Sequence, residues 1–262
     1  MTTGTGGTRA GWGKRVWRHL LPVLPFLVFM VIWWGLSRLG IKEYILPSPG
    51  SVMDELADPR WRWSAQIMAT FQEVVGGFLA AVIIGSLLGL VVAWNDTLRR
   101  MLMPFLVFFN SIPKVAAAPL VLVWFGFGVL PNVIMSFLIS FFPVLLNTAR
   151  GVSEVPPEMV ELAQSFNTPK WKRFLLIHVP YALPYIMTGI KLASIMAVTG
   201  AIVGEFIASE KGLAALILQA QSYLETGAML GALLWISIMA LVLFGLVNLI
   251  ERVLMPWARI GR

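Results

Sequence analysis

The sequence predicts an all-α integral membrane protein with six transmembrane helices and both termini in the cytoplasm. Of its 262 residues, 58% are hydrophobic and only 13% are charged, too little charge to cover a soluble surface of that size. Mean hydropathy is +0.81, so the excess apolar surface faces lipid. The apolar residues gather into six stretches near the roughly 20 residues that cross a hydrocarbon core of about 30 Å, and the basic residues sit at their ends.

The first stretch, residues 20–39, follows Lys14, Arg15 and Arg18 and so resembles a secretory signal. No small-x-small cleavage pattern follows it, and it is expected to remain as the first span. Residues 1–19 ahead of it, rich in Gly and Thr at their start, are expected to form a basic, disordered cytoplasmic segment. In the outer segment 40–65, Pro47-Ser48-Pro49-Gly50 predicts a turn leading into a short capped helix on the surface. The second span is 67–94. The third, 101–125, is interrupted by Ser111-Ile112-Pro113-Lys114, where proline kinks or breaks a helix. The fourth, fifth and sixth are 131–149, 181–208 and 229–254, with a short apolar outer helix expected from Gly212 to Ile217. Residues 20–257 then form a single transmembrane domain, and 258–262 a cytoplasmic tail.

Orientation follows from the basic residues. With the N-terminus inside, thirteen of the 20 Lys and Arg fall on the cytoplasmic face: Arg9, Lys14, Arg15, Arg18, Arg99, Arg100, Arg150, Lys170, Lys172, Arg173, Arg252, Arg259 and Arg262. Arg38, Lys42, Arg60, Arg62 and Lys211 fall outside, and Lys114 and Lys191 lie within spans. That bias places both termini inside. It also explains the formal charge of +7 as a topology signal, so no nucleic-acid partner is expected. The absence of cysteine and the presence of only two histidines exclude disulfides and a His- or Cys-based metal cluster.

Small residues mark helix contacts. Gly77, Ala81, Gly85, Gly89 and Ala93 recur every four residues in the second span; Gly189, Ala193, Ala197 and Ala201 do so in the fifth, beside Gly200 and Gly204. Such stripes let backbones approach in lipid, within one chain or across a dimer seam, with the intramolecular case expected. Trp33, Trp34, Trp61 and Trp63 suit an interfacial belt.

Ionisable groups inside a bilayer are costly and carry function by default. Lys114, about 20 Å along the third span at 1.5 Å per residue, stands beside the Pro113 break. It either lines a pathway that attracts an anion, pairs with a carboxylate such as Glu73 or Glu205, or reaches water along its flexible stem. Lys191 either snorkels inward, faces the bundle or touches substrate. Glu73 and Glu205, toward the outer ends of their spans, are expected to be solvated at the boundary, with gating or pairing as the alternative. Asn110, Ser111, Asn147 and Thr199 are further pathway candidates, although such groups more often bond a neighbouring backbone.

The inner loop 151–180 is unlike a linker. Pro156-Pro157-Glu158 is a helix start, with proline in the first turn and acid at the positive end. Met159, Val160, Leu162, Ala163 and Phe166 supply an apolar stripe. Asn167 adopts a left-handed conformation readily and ends the helix. Thr168 is expected to cap a second helix beginning at Pro169 and continuing through Lys170-Trp171-Lys172-Arg173-Phe174. Two short helices at an angle present an apolar and basic surface, which docks either on lipid headgroups or on a protein.

Glu161-Leu162-Ala163, then Asn167, then Ile177-His178-Val179-Pro180 resembles the EAA loop of ATP-binding-cassette importer permeases. The family pattern is Glu-Ala-Ala, a glycine six residues after the glutamate, and a later Ile-x-Leu-Pro; Leu162, Asn167 and Val179 depart from it. Ser111-Ile112-Pro113-Lys114-Val115-Ala116, Ala118-Pro119-Leu120 and Trp124-Phe125-Gly126-Phe127-Gly128 are similar to the third-span region of the nitrate, sulfonate and taurine permeases. Phe142-Pro143-Val144 with Asn147-Thr148, and Val203-Gly204-Glu205-Phe206, fit the same group. The likeness extends over about 20–257.

This resemblance implies a type I importer permease fold in the bacterial plasma (inner) membrane. It implies a second permease copy, most simply a homodimer, two ATPase subunits, and an extracytoplasmic substrate-binding protein. ATP and magnesium are expected at the ATPase, with no cofactor in this chain. It assigns Glu158, Glu161, Ala163, Phe166, Asn167, Trp171 and Phe174 to the coupling loop: Glu161, Ala163 and Asn167 shape it, while Phe166, Trp171 and Phe174 make contact. The chain itself is expected not to be an enzyme. Its one Gly-Lys pair, Gly13-Lys14, is followed by Arg15 and has Thr8 five residues earlier, so it forms no phosphate-binding loop. A small solute of the nitrate, sulfonate, taurine or vitamin-precursor class is the expected cargo. A secondary transporter or channel working without an ATPase is the alternative, against which stands the lack of an internal repeat.

Overall fold

The computed structural model describes Leu21 and residues 24–256. The expected disordered segment 1–19, with its basic residues Arg9, Lys14, Arg15 and Arg18, and the tail 258–262 lie outside the described residues. Among those described there is helix but no strand. In order the helices are α1 (Leu24–Ser37), α2 (Pro49–Ala57), α3 (Trp63–Ala93), α4 (Asp96–Ser111), α5 (Ala118–Phe125), α6 (Val129–Ser153), α7 (Pro157–Ser165), α8 (Lys170–Arg173), α9 (Val179–Ala208), α10 (Leu213–Ser222) and α11 (Thr226–Leu254).

The chain divides into two compact units, Met1–Asp58 with Ala220–Gly231 and Pro59–Gln219 with Ala232–Arg262. In the smaller, α1 has 14 residues, none of them buried. Trp33 donates its indole N–H to the Pro47 carbonyl at 3.0 Å. Ser48 caps α2, accepting from the Ser51 amide at 3.1 Å, as the Pro-Ser-Pro-Gly turn predicts.

The larger unit holds the long spans. Of the described helices, α3, α6, α9 and α11 are each long and apolar enough to cross a membrane, and α4 with the segment Lys114–Phe125 makes a fifth if that bent pair is one span. The bend is 77° and falls at Ile112-Pro113. Neither residue is helical there, because proline has no amide to donate and its ring excludes the preceding turn.

Helix α6 lies between α3 and α9, and the small-residue stripes make both contacts. A Cβ on Gly89 would stand 2.6 Å from Thr148 Cβ, and one on Gly200 would stand 2.6 Å from the Met135 carbonyl oxygen. Ala81, Ala193, Ala197 and Ala201 are fully buried. Backbones at this spacing leave no volume for a larger side chain, and in lipid that closeness is what holds helices together. The stripes therefore serve packing within the chain.

Several expectations change. Trp61 is buried at 4% exposure, with the Arg60 guanidinium 4.9 Å from its ring centre; it belongs to the core and not to an interfacial belt. Thr168 caps nothing. Pro169 holds the cap position of α8 without a side-chain bond. The second loop helix is also not a separate element, since α8 passes through a wide turn, Phe174–His178, straight into α9.

Candidate functional site

The inner loop forms a hook. Helix α7 ends in a left-handed Asn167 with φ of 51°. The Asn167 amide donates to the Gln164 carbonyl at 2.8 Å, and the Thr168 amide reaches the Ala163 carbonyl at 3.1 Å. This paired closure is the Schellman arrangement, which requires a positive φ at the residue after the cap. Asparagine, whose short polar side chain tolerates that conformation, stands where the resemblance expects glycine. Ala163 thus shapes the turn through its carbonyl.

The hook has two sides. Outward, Phe166 is 76% exposed and Trp171 54% exposed, with Leu162 and Met159 beside them. Met159, Leu162, Ala163, Phe166, Thr168 and Ile177 line a shallow cleft of about 350 Å³. Inward, Phe174 packs edge-on against Trp94 at 4.6 Å between ring centres. It also joins the apolar cluster of Val152, Ala182 and Ile186. Phe174 therefore anchors the hook to the bundle. His178 Nδ1 lies 3.2 Å from the Val152 carbonyl and ties the same two segments. Glu158 and Glu161 are exposed, and Glu161 borders a groove of about 490 Å³ between the hook and the ends of the neighbouring helices, with Arg99, Lys170 and Arg173 on its walls.

Lys114 sits at the bend. Its ammonium donates to the Asn110 carbonyl and, at 2.8 Å, to Asn110 Oδ1. It also lies 4.9 Å from the centre of the Phe142 ring, within cation–π range. Its partners are thus Asn110 and Phe142, so of the alternatives for this side chain the pairing with Glu73 or Glu205 does not occur. The other candidates bond their own helices: Ser111 to the Val107 carbonyl at 2.9 Å, Asn147 to Pro143 at 2.8 Å and Thr199 to Ile195 at 3.5 Å. Lys191 forms an ion pair with Glu251 of α11, so it faces the bundle.

Glu73 and Glu205 reverse the expectation of boundary solvation. They are 1% and 0% exposed, at the end of the bundle opposite the hook. Glu205 Oε1 accepts from Thr70 Oγ1 at 2.5 Å, and Oε2 accepts from the Ala214 amide at 2.6 Å. Thr70 Oγ1 accepts from the Leu213 amide at 2.8 Å, and Gln66 Oε1 accepts from the Gly212 amide at 2.7 Å. Three successive amides opening α10 are thereby satisfied by side chains of α3 and α9. A buried helix start demands such partners, and a carboxylate there suits its positive end. Gly212, with φ of 117°, lies so close to the Glu205 carboxyl that no Cβ fits. Thr70, Asn132 and Gln66 escaped the sequence reading because only the fold brings them together. The one available signal was an acid, Glu205, a few residues ahead of an apolar helix start.

Comparison with known proteins agrees with this architecture. The model of the family described as binding-protein-dependent transport system inner membrane component matches residues 81–260. The chain is 30% identical to the formylaminopyrimidine transport permease protein ThiX of Halalkalibacterium halodurans, over 94% of this chain and 99% of that one. It is 34% identical to the riboflavin transport system permease protein RibX of Chloroflexus aurantiacus, over 90% and 89%. With the taurine transport system permease protein TauC of Escherichia coli it shares 27% identity over 90% and 89%. A helical bundle with membrane-length spans, a bent third segment and an ordered hook is thus one of these: the chain belongs to the binding-protein-dependent transport system inner membrane component family, the membrane permeases of bacterial ATP-binding-cassette transporters.

Proposed function

We propose that this chain is the translocation subunit of an ATP-driven importer, with six spans, both termini in the cytoplasm and the hook as its coupling element. In this reading two copies pair, and two ATPase subunits, which hold ATP and magnesium, dock on α7 of each copy. An extracytoplasmic binding protein delivers a small solute of the vitamin-precursor, taurine or sulfonate class to the opposite face. Closure of the ATPases pushes on α7. Because α8 runs unbroken into α9, and Phe174 ties the hook to Trp94, the push reaches α9 and the end of α3 together.

The observation that carries the reading is the outward face of the hook, where Phe166, Trp171 and Leu162 stand exposed on a turn rigidly closed by Asn167. A rigid element held by hydrogen bonds and an aromatic anchor does not bury its apolar tips by itself, and a cytosolic partner supplies the missing cover. Glu158 is exposed on the same helix, while Glu161 borders the groove behind the hook.

Co-expression with a candidate ATPase subunit tests it. Purification through a tag on this chain should bring the ATPase along, and uptake should stop on ATP depletion while surviving an uncoupler. Uptake that follows the ion gradient and ignores ATP would assign a secondary carrier instead.

A further inference from the structure

The hydrogen bonds around Glu73 do not close. Glu73 Oε1 accepts from Asn132 Nδ2 at 2.8 Å. Glu73 Oε2 and Asn132 Oδ1 are both buried and both lack a donor. Glu73, Asn132, Thr70 and Glu205 are each at most 1% exposed, so bulk water does not reach them. Glu205, by contrast, is well supplied, with a hydroxyl on one oxygen and the Ala214 amide on the other. Asn132 links the two sites, bonding Glu73 and lying against Gly204, the residue before Glu205.

The surroundings contain no compensating cation. From α3 the groups facing the pair are Gln66 and Thr70, from α6 Asn132, and from α10 the Gly212, Leu213 and Ala214 amides. Glu210 and Lys211, on the connection ahead of α10, are exposed. Among the described residues no Lys, Arg or His forms an ion pair with either carboxyl. Two adjacent carboxylates in such a site would repel each other and leave two acceptors unpaired, each costly where water is excluded. A protonated carboxyl, unlike an ionised one that only accepts, can donate to one of those acceptors.

We infer that Glu73 is a proton-binding site: a proton on its Oε2 supplies the donor that the cluster lacks, while Glu205 holds the negative charge at the start of α10. The assignment of roles follows from the donors. Glu205 receives a hydroxyl and an amide at the positive end of a helix, whereas Glu73 receives one side-chain amide. With the proton in place, Glu73 donates to Glu205 or to Asn132 Oδ1, and α3, α6, α9 and α10 are joined through one network. Loss of the proton places a second charge beside Glu205 and weakens the hold on α10. Glu73 and Glu205 are positioning residues in this account, and it stands independently of the cargo or the ATPase.

The test is infrared spectroscopy of the purified full-length chain in lipid nanodiscs at neutral pH. A carbonyl stretch of a protonated carboxylic acid, shifted in deuterium oxide and lost in Glu73→Gln, is the expected result. Thermal unfolding adds a second readout. Glu73→Gln, which keeps one acceptor and one donor, should leave the midpoint unchanged, while Glu205→Gln should lower it by several degrees. The inference is overturned if the unsubstituted chain shows no such stretch, an outcome that needs no variant. It is equally overturned if the stretch survives in Glu73→Gln, if Glu73→Gln destabilises as much as Glu205→Gln, or if sodium abolishes the band at constant pH, which would make a metal cation the occupant.

Discussion

Lys191 of α9 and Glu251 of α11, sixty positions apart, form an ion pair with side chains 23% and 24% exposed. Removing one partner leaves the other charge stranded in a medium of low dielectric, at a cost on the order of 3 kcal/mol. Lys191→Met or Glu251→Leu alone should therefore lower the unfolding midpoint of the detergent-purified chain clearly. The double substitution Lys191→Met with Glu251→Leu should recover most of the loss, because it removes both desolvation penalties at once. A double-mutant cycle measures the coupling, and simple additivity of the two single losses would show that the pair contributes nothing as a pair.

Gly200 faces the backbone of Met135 and Ser136 at 2.6 Å from an ideal Cβ. Gly200→Val must push α6 and α9 apart, and overpacking of this kind costs about 1–3 kcal/mol or more. Gly35→Val provides the contrast, since nothing lies within 4 Å of a Cβ there. Fluorescence-detected size exclusion after heating should show Gly200→Val aggregating at lower temperature and Gly35→Val unchanged.

Four of the expected spans, or five with the bent pair, were legible in the sequence because their signal is additive, about twenty apolar residues outvoting any local exception, whereas the first stretch folds among the described residues as a helix of only 14. The break at Pro113 and the left-handed Asn167 were legible for a different reason, since each follows from the stereochemistry of one residue. Trp61, Glu73 and Glu205 were misread together, and for one cause. Each has a side-chain type that ordinarily seeks an interface, yet whether such a group is solvated or enclosed depends on which distant segments pack over it. Of the partners of Glu205, Thr70 lies 135 positions away and is invisible to any local pattern, and only the start of α10, nine positions on, left a local trace. The inward packing of Phe174 was not legible because the sequence suggested two separate loop helices. The continuous passage from α8 into α9 rotates that ring toward Trp94.

Phe166 and Phe174 should respond in opposite ways to truncation. Phe166→Ala removes an exposed ring, so thermal stability should hold while copurification with the ATPase falls. Phe174→Ala empties a packed aromatic site and should cost about 3 kcal/mol of stability. A Phe166→Ala chain that retains the ATPase at full stoichiometry would remove α7 as the docking surface.

The Asn167 turn separates shape from chemistry. Asn167→Gly keeps the positive φ available and should preserve substrate-stimulated ATP hydrolysis in the assembled complex. Asn167→Pro cannot adopt φ of 51° and removes the amide that bonds Gln164, so stimulation should be lost while membrane insertion persists; Glu161→Lys should uncouple in the same way by adding a cation to the groove that Arg99, Lys170 and Arg173 already line. Normal stimulation in the proline variant would mean that the turn does not carry the coupling.

Lys114 offers the sharpest question about cargo. Asn110 takes two of its N–H groups and the Phe142 face steadies the cation, which leaves one donor uncommitted at a bend where the backbone itself is opened by Pro113. A passing anion gains one charge-assisted hydrogen bond there, about 1.5–3 kcal/mol, or roughly tenfold or more in a rate or affinity. Lys114→Ala should thus slow uptake of a sulfonate-class solute by at least about that factor in proteoliposomes, and Lys114→Arg should restore part of it. A neutral pyrimidine-type solute gains nothing from the charge, so uptake unaffected by Lys114→Ala, with unfolding also unaffected, would point to that class of cargo and leave the bend to geometry alone. Measuring both solutes on the same two variants decides between charge and shape, because only the charge reading predicts that arginine rescues one solute and is indifferent to the other.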